Sequence, residues 1–584
     1  MYKNYPRYGM EIKPTFSRTR YKDEHPLKTV TKIKEILDSI GIQTAVQWYD
    51  NGYNDFSCRV KIANNELKCF DIGTNGKGMS KEYALASAYA EFMERLQNKA
   101  MFREGLKYST FYYINVVSKA FVENLLSNKV LLDFLYYPDE HLENGIIYAP
   151  FLNLSTHKEE QIPLSYYRNI CGSTGMSAGN TIEEAMCQSL NEIVERFILC
   201  KIFTENIHPK TLSIEDFIGN NVYNRIKDLQ KNFKVVIHDW SQNKGYPVIG
   251  MLLQREKDGA YTYRLGADFN IITALERCFT EIFQGRDVMK RLLKAPSSDY
   301  VCTREDYYKC RQNGTGIYPH YLLSDFEANA TFPHHDFSSY KEELHFFVNW
   351  LRQIGYTIYF RDNSFLGFPA VTVYIPEMSD SEMTNQTKSK AISTMRQNWG
   401  HIEARYNLKT VVERQSKEPF SDNPIYANVV RLNPWNANKD VVIYPLFAET
   451  MIQLSLNNLD VAFKKINSLI ERLKEEYSYS VIPKAFFVLQ EVLGALLYNK
   501  DSKINYETMK PIKAKYGDEI VSQVVSLITR AADHIQDQNY PTCFNCSVCP
   551  VAMDCRFLDV VAFEKKMQVR QKAYYDIAHH TNIE

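Results

Sequence analysis

Gly179-Asn180-Thr181-Ile182-Glu183-Glu184-Ala185-Met186-Cys187-Gln188-Ser189-Leu190-Asn191-Glu192-Ile193-Val194-Glu195-Arg196 is the stretch on which the reading of this chain turns. Ala185, Gln188, Glu192 and Glu195 stand at i, i+3, i+7 and i+10, a spacing that places all four on one face of a helix. The pattern is written again upstream, where Gly78-Met-Ser-Lys-Glu-Tyr-Ala84 leads into Ser87, Glu91, Glu94 and Arg95. A weaker third copy runs Ala274, Arg277, Glu281, Gln284 and Arg286. Amphipathic helices ordinarily pack an apolar face, because its burial drives folding. Here one face carries acids beside an Arg, while Leu85, Met186 and Leu275, each one position after the Ala, are free to pack elsewhere. Three such helices with convergent carboxylates describe a place that holds cations and phosphates.

Composition sets the frame. The 584 residues suffice for several cores, and 45% hydrophobic with 24% charged residues is ordinary for a globular protein. Lys plus Arg (69) equals Asp plus Glu (69), so no global field recruits nucleic acid or an anionic membrane, and an anionic ligand must be held by local groups. The 40 Tyr and 32 Phe read mainly as core packing. The start of the chain, Met1-Tyr-Lys-Asn-Tyr-Pro-Arg-Tyr, has no apolar signal-like region, and no run approaches the roughly 20 apolar residues of a membrane span. Cysteines from Cys58 to Cys310 are scattered singly, so a reducing cytoplasm is the expected location.

Along the chain, Leu27, Val30, Ile33, Ile36, Leu37 and Ile40 predict a helix over 27–41, closed by Gly41. Ser57–Ile62 and Leu67–Phe70 predict strands, and Gly73–Gly78 a glycine-rich turn opening the first signature helix. Residues 100–170 read as an irregular aromatic insertion. A second duplication follows. Phe233–Asp239 precedes Gly245-Tyr-Pro247-Val248, and Tyr356–Asp362 precedes Gly367-Phe-Pro369-Ala370-Val371; each is a strand ending in Asp, a turn and a return strand. Repeated helices and hairpins together imply a duplicated α+β core of mixed or antiparallel sheets with the signature helices at its centre. Past residue 440 strand-like alternation fades, and Glu449–Lys474 and Ile482–Tyr498 carry helical spacing. The expected division is a core over 1–430 and a helical domain over 440–584, with linker candidates at 416–424 and 433–438.

The chemistry follows from the acids. Glu91, Glu94, Glu192 and Glu195 repel one another unless a cation sits between them, and Mg2+ prefers such oxygen ligands shared with phosphate. Glycine loops at 73–78 and 172–179 would supply helix N-termini to phosphate, and Arg95, Arg196 and Arg286 could pair with phosphates or anchor the acids. The competing view is a set of internal Glu–Arg pairs that lock helices together, a costly way to gain stability.

These stretches, with Phe365-Leu-Gly-Phe-Pro-Ala370 and Ile375-Pro-Glu-Met-Ser-Asp380, resemble the YcaO family of ATP-dependent enzymes over about residues 20–400. The resemblance implies ATP with Mg2+ and phosphorylation of a backbone amide oxygen. It implies Glu91, Glu94, Glu192 and Glu195 as Mg2+ ligands, and Ser177, Asn180, Arg196 and Arg286 as phosphate contacts. Glu184, Gln188, Glu281 and Gln284 would complete the nucleotide pocket, with Lys22 and Thr29 as further contacts. Azoline-forming members often end in a Pro-x-Pro-x-Pro tail, whereas this chain ends Ala578-His-His-Thr-Asn-Ile-Glu584, and no peptide-clamp or adenylating-type segment precedes residue 20. In length and in its helical part the chain is most similar to the long members regarded as accessory factors for β-methylthiolation of the twelfth small-subunit ribosomal protein. Thioamide or azoline formation on ribosomally made peptides is the alternative, and a non-catalytic ATP-binding adaptor the second. The implied partners are a protein or peptide substrate and a sulfur-transferring or radical-type enzyme, with a homodimer as one assembly and no membrane or direct nucleic-acid contact.

One motif departs from that pattern. Cys543-x2-Cys546-x2-Cys549-Pro550-x4-Cys555 crowds four thiols into thirteen residues. Ligation of a [4Fe-4S] cluster is the expectation, structural zinc its competitor, and buried thiols or a disulfide pair the plain alternative.

Overall fold

The computed structural model describes residues 23–49, 56–65, 67, 72–98, 101, 141–143, 146–163, 167, 171–205, 207–219, 221–284, 292–312, 314–327, 332–379, 450–451, 453–454, 456–476, 484–498, 506–531 and 557–580. Lys22, Arg286, both linker candidates and the four cysteines from Cys543 to Cys555 lie outside these residues.

Helix α1 (Pro26–Ser39) opens the described chain. His25 caps it, Pro26 sits where no amide is needed, and Gly41 (φ +76) closes it, with Gly41 N and Ile42 N donating to Asp38 O and Leu37 O at 3.0 and 2.9 Å. Strands β1 (Thr44–Tyr49), β2 (Phe56–Ile62) and β3 (Gly73–Gly78) form an antiparallel sheet leading into α2 (Lys81–Gln97). The glycine-rich segment is therefore a strand, where a turn was predicted. Its glycines let α2 lie directly on the sheet: a Cβ on Gly78 would be 2.5 Å from Ala84 N, and one on Gly76 would fall on Ala84 O and Ala88 N. Glycine here serves close helix–strand approach.

Strands β4 (His141–Glu143), β5 (Ile146–Asn153) and β6 (Lys158–Pro163) come next, then β7 (Met176–Ala178) and α3 (Ile182–Thr204). Strands β4, β5 and β6 thus belong to a core sheet, contrary to the insertion predicted there. β5 pairs with β4, β6 and a later strand, and Ala149, Phe151 and Leu152 are buried. A strand buried on both faces shows no alternation, which hid it in the sequence.

Strands β8 (Lys210–Leu212), β9 (Lys234–Asp239), β10 (Val248–Gln254) and β11 (Tyr261–Ala267) form a four-stranded antiparallel sheet in the order β11-β10-β9-β8, with α4 (Asn221–Gln230) between β8 and β9 and α5 (Ile271–Phe283) after β11. After α6 (Arg304–Gln312) and α7 (Tyr340–Gln353), strands β12 (Tyr359–Asp362) and β13 (Ala370–Tyr374) complete the sheet β4-β5-β12-β13-β7. The two predicted hairpins are β9–β10 and β12–β13, both antiparallel. They share a turn device: Asp239 accepts from Ser241 N (2.8 Å) and Oγ (3.1 Å), while Asp362 accepts from Ser364 N (2.9 Å) and Oγ. The fold is α+β with antiparallel sheets, as the repeats implied.

The C-terminal part is helical: α8 (Leu459–Glu476), α9 (Lys484–Tyr498), α10 (Tyr506–Tyr516), α11 (Asp518–Thr529) and α12 (Phe557–His580). Val488, Leu489, Val492, Leu493 and Met567 share one buried apolar cluster with Ile33 and Leu37 of α1 and Phe92 of α2. No helix among the described residues is long and apolar enough to cross a membrane. The seven described cysteines are free thiols.

Candidate functional site

The three signature helices are built alike. Ser80, Thr181 and Asn270, each four residues before the signature Ala, cap α2, α3 and α5 with a side-chain oxygen that accepts a first-turn amide. Eight residues before the Ala stands a small residue on the preceding strand: Gly76, Ser177 and Gly266. A Cβ on Gly266 would collide with Ala274 O and stand 2.8 Å from Cys278 N, repeating the approach at Gly76. In the middle copy Ser177 takes that place. It is buried, and its hydroxyl donates to Ala185 O and lies 3.0 Å from Ser189 Oγ, so it is committed to the joint between β7 and α3.

That geometry sets Glu91 of α2, Glu195 of α3 and Glu281 of α5 around Lys77 of β3. Alternation along β3 buries Thr74, Gly76 and Gly78 against α2 and puts Asn75 and Lys77 on the other face. Lys77 Nζ is ion-paired with Glu281 of α5, and Gln284 Nε2 donates to Asn75 O at 3.2 Å. Glu91 of α2 and Glu195 of α3 also attract the Lys77 ammonium, while Arg277 and Arg196 oppose it. Burial still dominates and pulls the ammonium down to about 8. Burial likewise raises Glu91 and Glu195; Arg95 and Lys77 draw the first back, Arg196 and Lys77 the second, and Glu192 adds repulsion to both.

The other predicted ligands flank this centre. Glu94 pairs with Arg95 Nε at 3.4 Å, and Glu91 with Arg95 Nη2 at 3.5 Å. Glu192 accepts from Gly175 N at 3.2 Å and stands 3.9 Å from Arg196 Nη2. Arg196 also donates to Arg311 O, which ties α3 to α6. Glu91, Glu192 and Glu195 are thus within electrostatic reach of one another, and Lys77 attracts Glu91 and Glu195 beside the arginine pairs. Among the described residues no three Asp, Glu, His or Cys side chains are grouped closely enough to hold a metal ion. The donor chemistry nevertheless fits Mg2+: these are carboxylate oxygens, and two of the carboxyls are held by burial in a state that positive charge relieves.

A second constellation joins α1 to the N-terminus of α3. Thr29 Oγ1 donates to Asn180 Oδ1 at 2.7 Å, and Asn180 donates from N and Nδ2 to Glu184 Oε2 at 3.1 and 2.9 Å. Thr181 Oγ1 donates to Asp23 Oδ2 at 2.5 Å, and Asp23 N to Glu184 Oε2 at 3.4 Å. Gln188 lies half-buried one turn after Glu184. Thr29, Asn180 and Glu184 are therefore neighbours although 151 residues separate the first two. The Phe365–Ala370 element closes on α2, where Gln97 donates to Phe368 O at 2.7 Å and accepts from Leu366 N at 2.8 Å.

Lys77 and Arg277 carry charge in this site without an assigned role in the sequence reading. Arg277 Nη2 is 3.3 Å from Asp268 Oδ2. The signal for Lys77 was available: a lysine alternating with glycines on a strand, one turn before a helix of acids.

A protein-family model described as YcaO cyclodehydratase, ATP- and Mg2+-binding, matches residues 75–379, more than half of the chain. A Haemophilus influenzae protein described as uncharacterized is 28% identical over 391 residues, 62% of this chain and 65% of that protein. The Escherichia coli ribosomal protein S12 methylthiotransferase accessory factor YcaO is 27% identical over 395 residues, 62% of this chain and 66% of that protein. The chain spans just under two thirds of the length of these curated relatives. The solved structure of YcaO from Methanopyrus kandleri bound with AMPPCP and Mg2+ superposes with a TM-score of 0.43 at 17% identity, covering 64% of this chain and 97% of that one. Through the acid-faced helices that the family model spans, this chain belongs to the YcaO family.

Proposed function

We propose that this protein binds ATP with Mg2+ at the face shared by β3, α2, α3 and α5, and uses it to support β-methylthiolation of ribosomal protein S12 together with a sulfur-transferring partner enzyme. The observation that carries the nucleotide reading is the meeting of Glu91, Glu195 and Glu281, from three separate helices, around Lys77. The family description and the name of the Escherichia coli relative support the choice of process.

Glu91, Glu94, Glu192 and Glu195 would hold Mg2+, and the bound ATP–Mg2+ would supply a phosphoryl group able to turn an amide oxygen into a leaving group. The chain's own residues set the conditions. Arg95 and Arg196 orient the acids through the pairs at 3.4–3.9 Å. Burial raises Glu91 and Glu195, and an entering cation would offset that cost by favouring their charged forms. Thr29, Asn180 and Glu184 form a preassembled polar edge suited to the nucleotide.

The reading is tested by tandem mass spectrometry of S12 from cells with the wild-type chain, with Glu195→Gln, and with no copy. Methylthiolated S12 is expected only with the wild type. Equal modification in all three would contradict the accessory role. Dehydrated Cys-containing peptides formed by the isolated chain with ATP would point to peptide modification in its place.

A further inference from the structure

Lys77 is not among the groups assigned above to nucleotide or metal, yet it occupies the electrostatic centre of the site. Its backbone has no freedom to leave. β3 is hydrogen-bonded along β2 with Lys77 opposite Ser57, and Gly76 and Gly78 on either side are pressed against α2. Only the side chain can move, and it has four torsions to do so. About a quarter of it (25%) remains accessible, so solvent and ligand can reach the ammonium. It is surrounded by Glu281, Glu91 and Glu195, each on a different helix, with Arg277 and Arg196 pushing against it.

A cation entering this cluster alone is repelled by that ammonium, which Glu281 holds beside Glu91 and Glu195, and brings no anion to draw it away. A cation entering together with a polyphosphate brings the receiving anion with it. We propose that Lys77 is the resident counter-cation of the acid cluster and a positioning residue for the nucleotide: it holds Glu91, Glu195 and Glu281 together without ligand, excludes Mg2+ arriving alone, and passes to a phosphate oxygen when Mg2+ and nucleotide arrive together. The consequence is obligatory coupling between the two ligands, a reciprocal free-energy linkage. This inference rests on the ATP–Mg2+ reading of the site.

The test is calorimetric titration of the full chain with Mg2+ alone, with AMPPCP alone and with both, using wild type, Lys77→Met and Lys77→Arg. In Lys77→Met, Mg2+ alone should bind at least tenfold more tightly than to wild type, and Mg2+–AMPPCP at least tenfold more weakly; Lys77→Arg should restore the wild-type coupling. A merely structural lysine would not raise affinity for the bare ion. If Lys77→Met does not fold, Lys77→Gln is titrated in the same way. Wild-type protein that binds Mg2+–AMPPCP while the variant keeps wild-type affinity for bare Mg2+ would overturn the inference alone. Wild-type protein that binds no Mg2+–AMPPCP would overturn the site reading and the inference with it.

Discussion

Tyr574, on the last helix, donates its phenolic hydroxyl to Asp362 Oδ2 at 2.8 Å, so the end of the described chain is fastened to the second of the duplicated Asp turns. Asp362 is buried; burial pushes its carboxyl up, and the bonds from Ser364 and Tyr574 draw it back. Tyr574→Phe removes one donor from a buried carboxyl and should cost about 2 kcal/mol in equilibrium urea unfolding. A change below about 0.5 kcal/mol would mean that the bond does not hold α12 in solution.

Thr29→Val keeps the shape of the side chain and deletes the 2.7 Å bond to Asn180. The expected loss of stability is about 1 kcal/mol. Affinity for Mg2+–AMPPCP should fall about tenfold, because the bond fixes the amide that also faces Glu184. Loss of stability with unchanged nucleotide affinity would restrict this cluster to a structural role.

Gly76 and Gly172 separate two uses of glycine. Gly76→Ala drives a Cβ into the Ala84 carbonyl and the Ala88 amide, and should destabilise the β3–α2 joint by several kcal/mol. Gly172 has φ +61 and open space around its Cβ position, so Gly172→Ala should cost only about 1 kcal/mol. Thermal unfolding of the two variants checks the order, and a reversed order would contradict the strand assignment of 73–78.

His238 is fully buried, with Nδ1 3.1 Å from Tyr263 Oη, and burial pushes its imidazole down to about 4. The unfolded chain takes the proton near 6.5, the folded one only near 4. The stability this site contributes is therefore complete above 6.5 and is lost as pH falls through that window, by about 3 kcal/mol in total. His238→Gln should flatten this part of the stability profile between pH 6.5 and 4 in urea unfolding. An unchanged acid slope would place the loss on other groups.

The signature helices were legible because the same four positions recur around Ala84, Ala185 and Ala274, and the caps at Ser80, Thr181 and Asn270 lie at a constant offset. The hairpins were legible through Asp239 and Asp362. Lys77 alternates with Gly76 and Gly78, yet a segment this rich in glycine reads as a turn, which hides the face that Lys77 shares with Asn75. β5 was missed for the opposite reason, being apolar on both faces from Ala149 to Leu152. Helical spacing past residue 440 announced helices but not their partner: an apolar stripe such as Val488–Leu496 does not state that it will share a core with Ile33 and Leu37. Arg286, Lys22 and the four-cysteine motif lie outside the described residues, so their predicted roles gain nothing from the geometry.

In the proposed site the acids of α2 and α3 hold Mg2+ and nucleotide together. Glu195→Gln keeps the size of a side chain whose carboxyl burial already holds above its ordinary value, and removes its charge. Calorimetric titration with AMPPCP in the presence of Mg2+ should show saturable binding to wild type, weakened at least tenfold in Glu195→Gln with an unaltered circular dichroism spectrum. Equal affinity in wild type, Glu195→Gln and Glu91→Gln would contradict the account.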